Sequence, residues 1–329
     1  MAEKNKDYLK LKGVTKLGYS LLQNELESNL KVYLDWALLS VGGWADVRIP
    51  TSGAYGGDFH TLHYVADPAY TDGQVWETPR TDLVYESGVN FNSSGNPIAI
   101  SGVYIDGVFK TPNDATYGHY VDYPNGKVVF TNVVDTTSVV TMEYSYRDIQ
   151  VQIADSSPMW KHLQYDSLRV DDTHLADSTT GEWTAEPSIS RRQMPVIVIE
   201  AVTKGSSRPY EIGNGSMYKY RDVLFHCVAE DRFWRNQLVD IIDFLSDKTI
   251  YMYNTNEVAE SGAFPLNYNG SINTDGVCYN TLVNRREENG YRWRELRFRE
   301  TRMFEAQNKN PHLFTGVVRA NIEVIYGDI

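Results

Sequence analysis

Residues 223–254 read VLFHCVAEDRFWRNQLVDIIDFLSDKTIYMYN, and they constrain the fold more than any other stretch. A Val- and Phe-rich run gives way at Asp231 to a segment in which Trp234, Leu238, Ile241, Ile242 and Leu245 recur at one helix-face spacing. Asp231 has the side chain of an N-cap, which predicts a helix from Arg232 to about Ser246, about 22 Å long at the standard rise. Ile250 and Met252 then continue as a strand. A helix with one apolar stripe, set between two strands, needs a sheet to lie on.

The rest of the C-terminal part supplies that sheet. MPVIVIEAV (194–202) reads as a buried strand. YRWRELRFRETRMF (291–304) reads as a long strand whose apolar phase shifts between Trp293 and Leu296, the mark of a bulge. VVRANIEVIYG (317–327) alternates cleanly, with Val318, Ala320, Ile322, Val324 and Tyr326 inward and Arg319, Asn321 and Glu323 outward. Near the other end of the sequence, Leu17, Leu21, Leu22, Leu26, Leu30, Tyr33, Leu34, Ala37 and Leu38 predict a helix over 13–40, stopped by Gly42-Gly43. The expected fold class is α+β: a mixed or antiparallel C-terminal sheet over 191–329 backed by helices, with residues 1–43 as a helical segment packed on it.

Between these elements, residues 44–154 are short strands punctuated by turn residues, and they predict a β-rich sandwich or barrel-like insertion. VYI-DG-VFK (103–110) is a hairpin signal, because Asp106-Gly107 can supply the positive φ angles of a two-residue turn. HYVDY-PNG-KVVF (119–130) is a second hairpin. In SVVTMEYSYRDIQV (138–151), Val140, Met142, Tyr144 and Tyr146 share one face. Residues 155–190 are poor in apolar side chains and read as a polar loop or linker.

Charge divides the chain in the same way. Residues 32–190 hold 7 Lys/Arg against 21 Asp/Glu, whereas residues 201–329 hold 16 against 17. An overall charge of −12 argues against a protein that grips nucleic acid, since phosphate binding needs clustered Lys and Arg. The two cysteines, Cys227 and Cys278, form no CxxC pair, so a reduced protein is expected. The first residues carry no apolar signal region, and no run is apolar and long enough for a membrane span.

Signatures of catalysis are absent from the sequence: no GxxxxGK[ST], no GxGxxG after a strand, no GxSxG. His60 and His63 make an HxxH without a Cys or acidic cluster at ligand spacing. Adjacent His226 and Cys227 point to opposite sides of a strand, which suits a core histidine beside a small buried thiol. The expectation is a non-enzyme with no cofactor and no metal.

Two charge patterns remain. Asp240, Asp243 and Asp247 stand at i, i+3 and i+7 of the predicted helix, so three carboxylates would share its outer face. They are either ordinary outer solvation or an acidic wall that lines a lumen and repels phosphate. Arg292, Arg294, Arg297, Arg299 and Arg302 alternate with Glu295, Glu300 and Glu305, a mixture suited to cross-strand or intersubunit pairs. Arg294, Glu295, Arg297 and Arg299 are the candidate subunit-contact residues.

The order strand, HCVAEDRFWRNQLVDIIDFLSDKTIYMYN, long strand and terminal VRANIEVIYG resembles the tail-terminator and neck (head-to-tail connector) proteins of contractile-tailed bacteriophages. The block GVYIDGVFK...HYVDYPNGKVVF...SVVTMEYSYRDIQV is similar to β-rich segments of virion structural proteins. The resemblance implies a structural virion protein, assembled in the host cytoplasm. It would form a ring, with a hexamer favoured, that joins tail tube and sheath to the head connector and lets DNA pass without specific binding. The alternative is a baseplate or tail-fibre adhesin that stacks Tyr and Trp of residues 55–146 on sugar rings. A hydrolase with a site in the acidic segment is a third option that no motif favours.

Overall fold

A computed structural model describes residues 21–49, 59–87, 99–157, 160, 194–210, 216–253, 279, 293–305 and 313–326. Among the described residues the fold is mostly β, with a mixed sheet and two helices. Six strands make the main sheet, in the order β11 (Gln150–Ile153), β12 (Val196–Pro209), β13 (Met217–Ala229), β16 (Phe314–Tyr326), β15 (Trp293–Glu305) and β14 (Thr249–Tyr251). β11 runs parallel to β12 and every other pair is antiparallel.

Both helices cover one face of this sheet. α1 (Leu22–Ser40) brings Leu22, Leu26, Leu30, Tyr33, Leu34 and Leu38 onto Ile197, Ile199 and Val151, and α2 (Arg232–Asp243) brings Leu238 and Ile242 into the same core. The strand residues that meet them alternate as the sequence predicts: Val318, Ala320, Ile322 and Val324 are fully buried. The bulge expected between Trp293 and Leu296 is present, and a second lies between Phe298 and Glu300. Gly42 has φ +89 and donates to Leu39, while Gly43 donates to Leu38, so the glycine pair closes α1 with a Schellman motif.

The β-rich module holds strands β1 (Trp44–Val47), β2 (His63–Tyr64), β3 (Val75–Glu77), β4 (Leu83–Tyr85), β5 (Val103–Ile105), β6 (Val108–Lys110), β7 (His119–Asp122), β8 (Lys127–Phe130), β9 (Val140–Thr141) and β10 (Tyr144–Arg147). They form three small sheets, β1-β10-β4, β2-β3-β8-β7 and β6-β5-β9, around one core that includes Trp76, Val128, Phe130, Met142 and Tyr144. Both predicted hairpins are there. Ile105 pairs with Val108 across Asp106 (φ +50) and Gly107 (φ +80), and Asp122 pairs with Lys127.

Three differences from the sequence reading have physical causes. Residues 138–151 split among three sheets, because Gln150–Ile153 pairs with β12 and so belongs to the C-terminal sheet, not the β-rich module. β12 and β13 run well past the buried strand expected at 194–202: a polar arm, residues 205–209, pairs with residues 217–221. That arm has no apolar alternation to betray it. The helix after Asp231 ends at Asp243, and Asp247 takes φ +65 in the turn that follows. Phe244 is 84% exposed, and Leu245, which still packs on the core, sits in a turn closed by its N–H donating to Ile242 rather than in a further helical turn.

Candidate assembly surface

Asp231 caps α2 as expected, its side chain accepting from the Trp234 N–H at 2.8 Å. Because the helix stops early, the three aspartates do not share a helix face. Asp240 is exposed on the helix. Asp243 at its last turn accepts from Thr301 Oγ1 of β15 at 2.7 Å. Asp247 takes the Arg297 guanidinium, with Nε to Oδ1 at 3.1 Å. Two of the three carboxylates are thus tied to β15 of their own chain, which holds the helix end on the sheet.

The arginine strand lies as predicted, but its side chains serve the monomer too. Arg299 Nε is 3.6 Å from Glu323 and its guanidinium lies 5.1 Å from the Tyr220 ring. Arg302 pairs with Glu300 at 2.7 Å. Glu295 is half-buried opposite Tyr251 of β14. The Arg294 side chain lies outside the described residues, as do Arg292 and Cys278.

The face of the sheet away from the helices carries groups that sequence reasoning passed over. His226 is not a core histidine: it faces this side and its Nε2 lies 2.8 Å from Glu200. The Trp160 ring sits 4.5 Å from the imidazole. Arg319 and Asn321 both bond Asp222. Arg208 lies over Tyr218 and Tyr220 at 5.4 and 5.2 Å. The alternation of Tyr218, Tyr220, Asp222 along β13 was the available signal, since each falls on the face opposite Val223, Phe225 and Cys227. Cys227 is a fully buried free thiol, and burial pushes it up to about 12.

The edges of the sheet are unequal. β11 covers β12 as far as Ile199, and then α1 takes over: Gln23 Nε2 donates to the Ala201 carbonyl at 2.6 Å, and the Ala201 N–H donates to Glu27 at 2.8 Å. From 203 to 209 the outer edge of β12 is exposed and has no strand partner among the described residues. The Tyr210 N–H donates to Ser216, so alternation turns the backbone groups of Ser207 and Gly205 outward. At the diagonally opposite corner, β14 and Lys248 cover β15 as far as Phe298. Residues 299–305 then have no outer strand partner among the described residues, and Met303 and Phe304 are 56% and 49% exposed.

The two modules meet at Arg147, which lies 4.0 Å from Asp35 of α1 and 3.6 Å from Asp82. Burial raises the Asp35 carboxyl to about 6 against the opposing pull of Arg147 and Lys31. Among the described residues no group of three or more His, Cys, Asp or Glu side chains is placed to hold a metal ion, and no helix is long and apolar enough to cross a membrane. Comparison with family models, with curated proteins and with solved structures finds no match to this chain.

Proposed function

We propose that this chain is a structural subunit of a ring in the neck or tail terminus of a contractile-tailed phage, joining tail tube and sheath to the head connector. One observation carries the reading. A sheet of 13- and 14-residue strands leaves two edges unpartnered, among the described residues, at diagonally opposite corners. An uncovered edge is a template for another strand. Residues 203–209 of one copy, laid along residues 299–305 of the next, extend the sheet from subunit to subunit. The two surfaces differ, so the contact is head-to-tail, and such contacts close into rings when the rotation permits. A hexamer is the favoured count, assembled in the host cytoplasm and carried in the virion. Asp240 remains on the outside of α2 for solvation or for a lumen through which DNA slides unbound.

Native mass spectrometry and negative-stain imaging of the purified chain test this reading. Closed rings are expected. Ser207→Pro, which removes an outward N–H without touching the pairing to β13, is expected to leave circular dichroism unchanged and to abolish the rings. Rings that persist in this variant, or a wild-type chain that stays monomeric with and without tail tubes, count against the reading.

The carbohydrate-binding alternative draws support from an exposed aromatic pair in the β-rich module, Tyr70 and Tyr120, whose hydroxyls are 2.9 Å apart. Glycan-array binding that is lost in Tyr120→Ala would favour it.

A further inference from the structure

Outside the assembly surface, the feature that stands out is an arginine without an acceptor. Arg80 is 6% exposed, and its guanidinium lies between two rings, 4.7 Å from Phe59 and 5.1 Å from Tyr146. Its Nε is buried with no hydrogen-bond partner, and no ion pair reaches the group among the described residues. Aromatic faces satisfy the cation above and below but accept none of its in-plane N–H groups. The orphaned Nε is costly to bury, while the terminal Nη groups, which are not among the buried unpaired atoms, leave the outer edge of the guanidinium open to a carboxylate.

Arg80 lines a cleft between the β-rich module and the C-terminal sheet, together with Tyr146, Asp148, Glu230, Asp231 and Trp234. Asp148 is close enough for Arg80 to draw its titration downward against the burial that raises it, yet the two form no ion pair. Asp231 is committed to the Trp234 N–H. The cleft therefore offers one unmet cation in its wall beside a rim of carboxylates. A bare anion would meet repulsion from the rim, and a dianion such as phosphate would meet more. A bare cation would leave Arg80 unpaired.

We propose that this cleft binds a small carboxylate that carries its own cation, the dipolar head of a free amino acid, with the carboxylate on the guanidinium edge and the ammonium against Asp148. Tyr146 and Trp234 wall the site and exclude water from the pair. The site stands independently of the ring reading.

The test uses the full chain and four probes at matched ionic strength: glycine, acetate, methylammonium and inorganic phosphate. Thermal midpoint and tryptophan fluorescence are read together, with Trp234→Phe assigning the optical signal to the cleft. Glycine is expected to give a saturable response, with acetate about tenfold weaker, as for loss of one charge-assisted contact. Phosphate and methylammonium are expected to give none. Arg80→Lys should weaken glycine about tenfold, because an ammonium cannot reproduce the fork. Asp148→Asn should weaken glycine and strengthen acetate, because it removes the ammonium's partner and part of the rim's repulsion together. No saturable response to glycine or acetate in the wild-type chain overturns the proposal, and so does an unchanged response in Arg80→Met. Phosphate binding as tightly as glycine overturns the assignment of a carboxylate. Should Arg80→Met fail to fold, the wild-type probes and Asp148→Asn still decide.

Discussion

In the β-rich module no described strand is longer than four residues, whereas four strands of the C-terminal sheet run to 13 or 14. The module spreads its strands over three small sheets around one core, so each sheet edge is a strand of only two to four residues. The C-terminal sheet concentrates its pairing in long antiparallel ladders and leaves two corners without a strand partner among the described residues. Short strands and tight turns make a self-contained unit, while long strands with partly covered edges make a unit that can be extended. The charge division follows: the module and linker are strongly acidic, and the extendable sheet is nearly neutral.

The contrast is broken most strongly by hollowing one core at a time. Phe298→Ala and Phe130→Ala each remove a fully buried ring from a different core, and each is expected to cost about 3–5 kcal/mol. Urea denaturation followed by far-ultraviolet circular dichroism checks whether the loss falls on one transition or two. The two modules touch through the Arg147–Asp35 pair, and their apolar cores are separate clusters. Each substitution should therefore destabilise its own module first and produce a second, earlier transition. A single shifted transition would show that the interface couples them fully.

The clamp of α1 on the free edge comes next. Glu27→Leu leaves the Ala201 N–H without its acceptor, an expected loss of about 1–3 kcal/mol confined to the C-terminal sheet. Hydrogen exchange at β12 should rise while exchange in the β-rich module stays unchanged.

How much of this was legible follows from where burial does the specifying. The α2 cap, the Schellman stop of α1, both hairpins, the bulge after Trp293 and the alternation of β16 could all be read, because each has a local chemical cause. The arm at 205–209 could not. Its residues, Gly205, Ser206, Ser207, Arg208 and Pro209, are exposed on both faces, and pairing without burial leaves no pattern. The end of α2 was misplaced by one turn because Leu245 continues the apolar spacing, and packs on the core, although its backbone already belongs to the turn that leads into the pairing with Phe298. That displacement is what carried Asp247 off the helix and onto Arg297. Arg80 was invisible for a different reason: its burial comes from Phe59 and Tyr146, distant in sequence, and a lone arginine in a turn gives no sign of a cleft.

Acidity offers a smaller effect with a definite sign. Asp35 is raised by burial to about 6, and Glu27, Glu77, Glu86 and Asp148 are raised by the same cause. A carboxyl whose folded value exceeds its unfolded value holds more protons when folded, so stability rises as pH falls from above 6 toward 4. Burial would raise Asp222, but its bonds to Arg319 and Asn321 and the charge of Arg319 outweigh this and lower it, so the stability it supplies is lost only at more acid pH. The thermal midpoint should therefore increase between pH 7.5 and 5, by the equivalent of about 1–2 kcal/mol, and fall again below about 4. Asp35→Asn should flatten the rise without moving the acid limb.

The smallest effect separates the two roles of the arginine strand. The Arg297–Asp247 and Arg299–Glu323 pairs hold exposed guanidinium groups, and exposed pairs add little to the stability of a chain. Arg297→Ala and Arg299→Ala are therefore expected to leave the melting curve of the isolated chain within experimental error. If these side chains exchange partners across a subunit contact, the same variants should shift ring populations in native mass spectrometry, and high salt should mimic them. A measurable loss of monomer stability with intact rings would assign both arginines to the internal architecture of the sheet. The open edge alone would then carry assembly, and the contrast between the two regions would rest on backbone pairing rather than on charge.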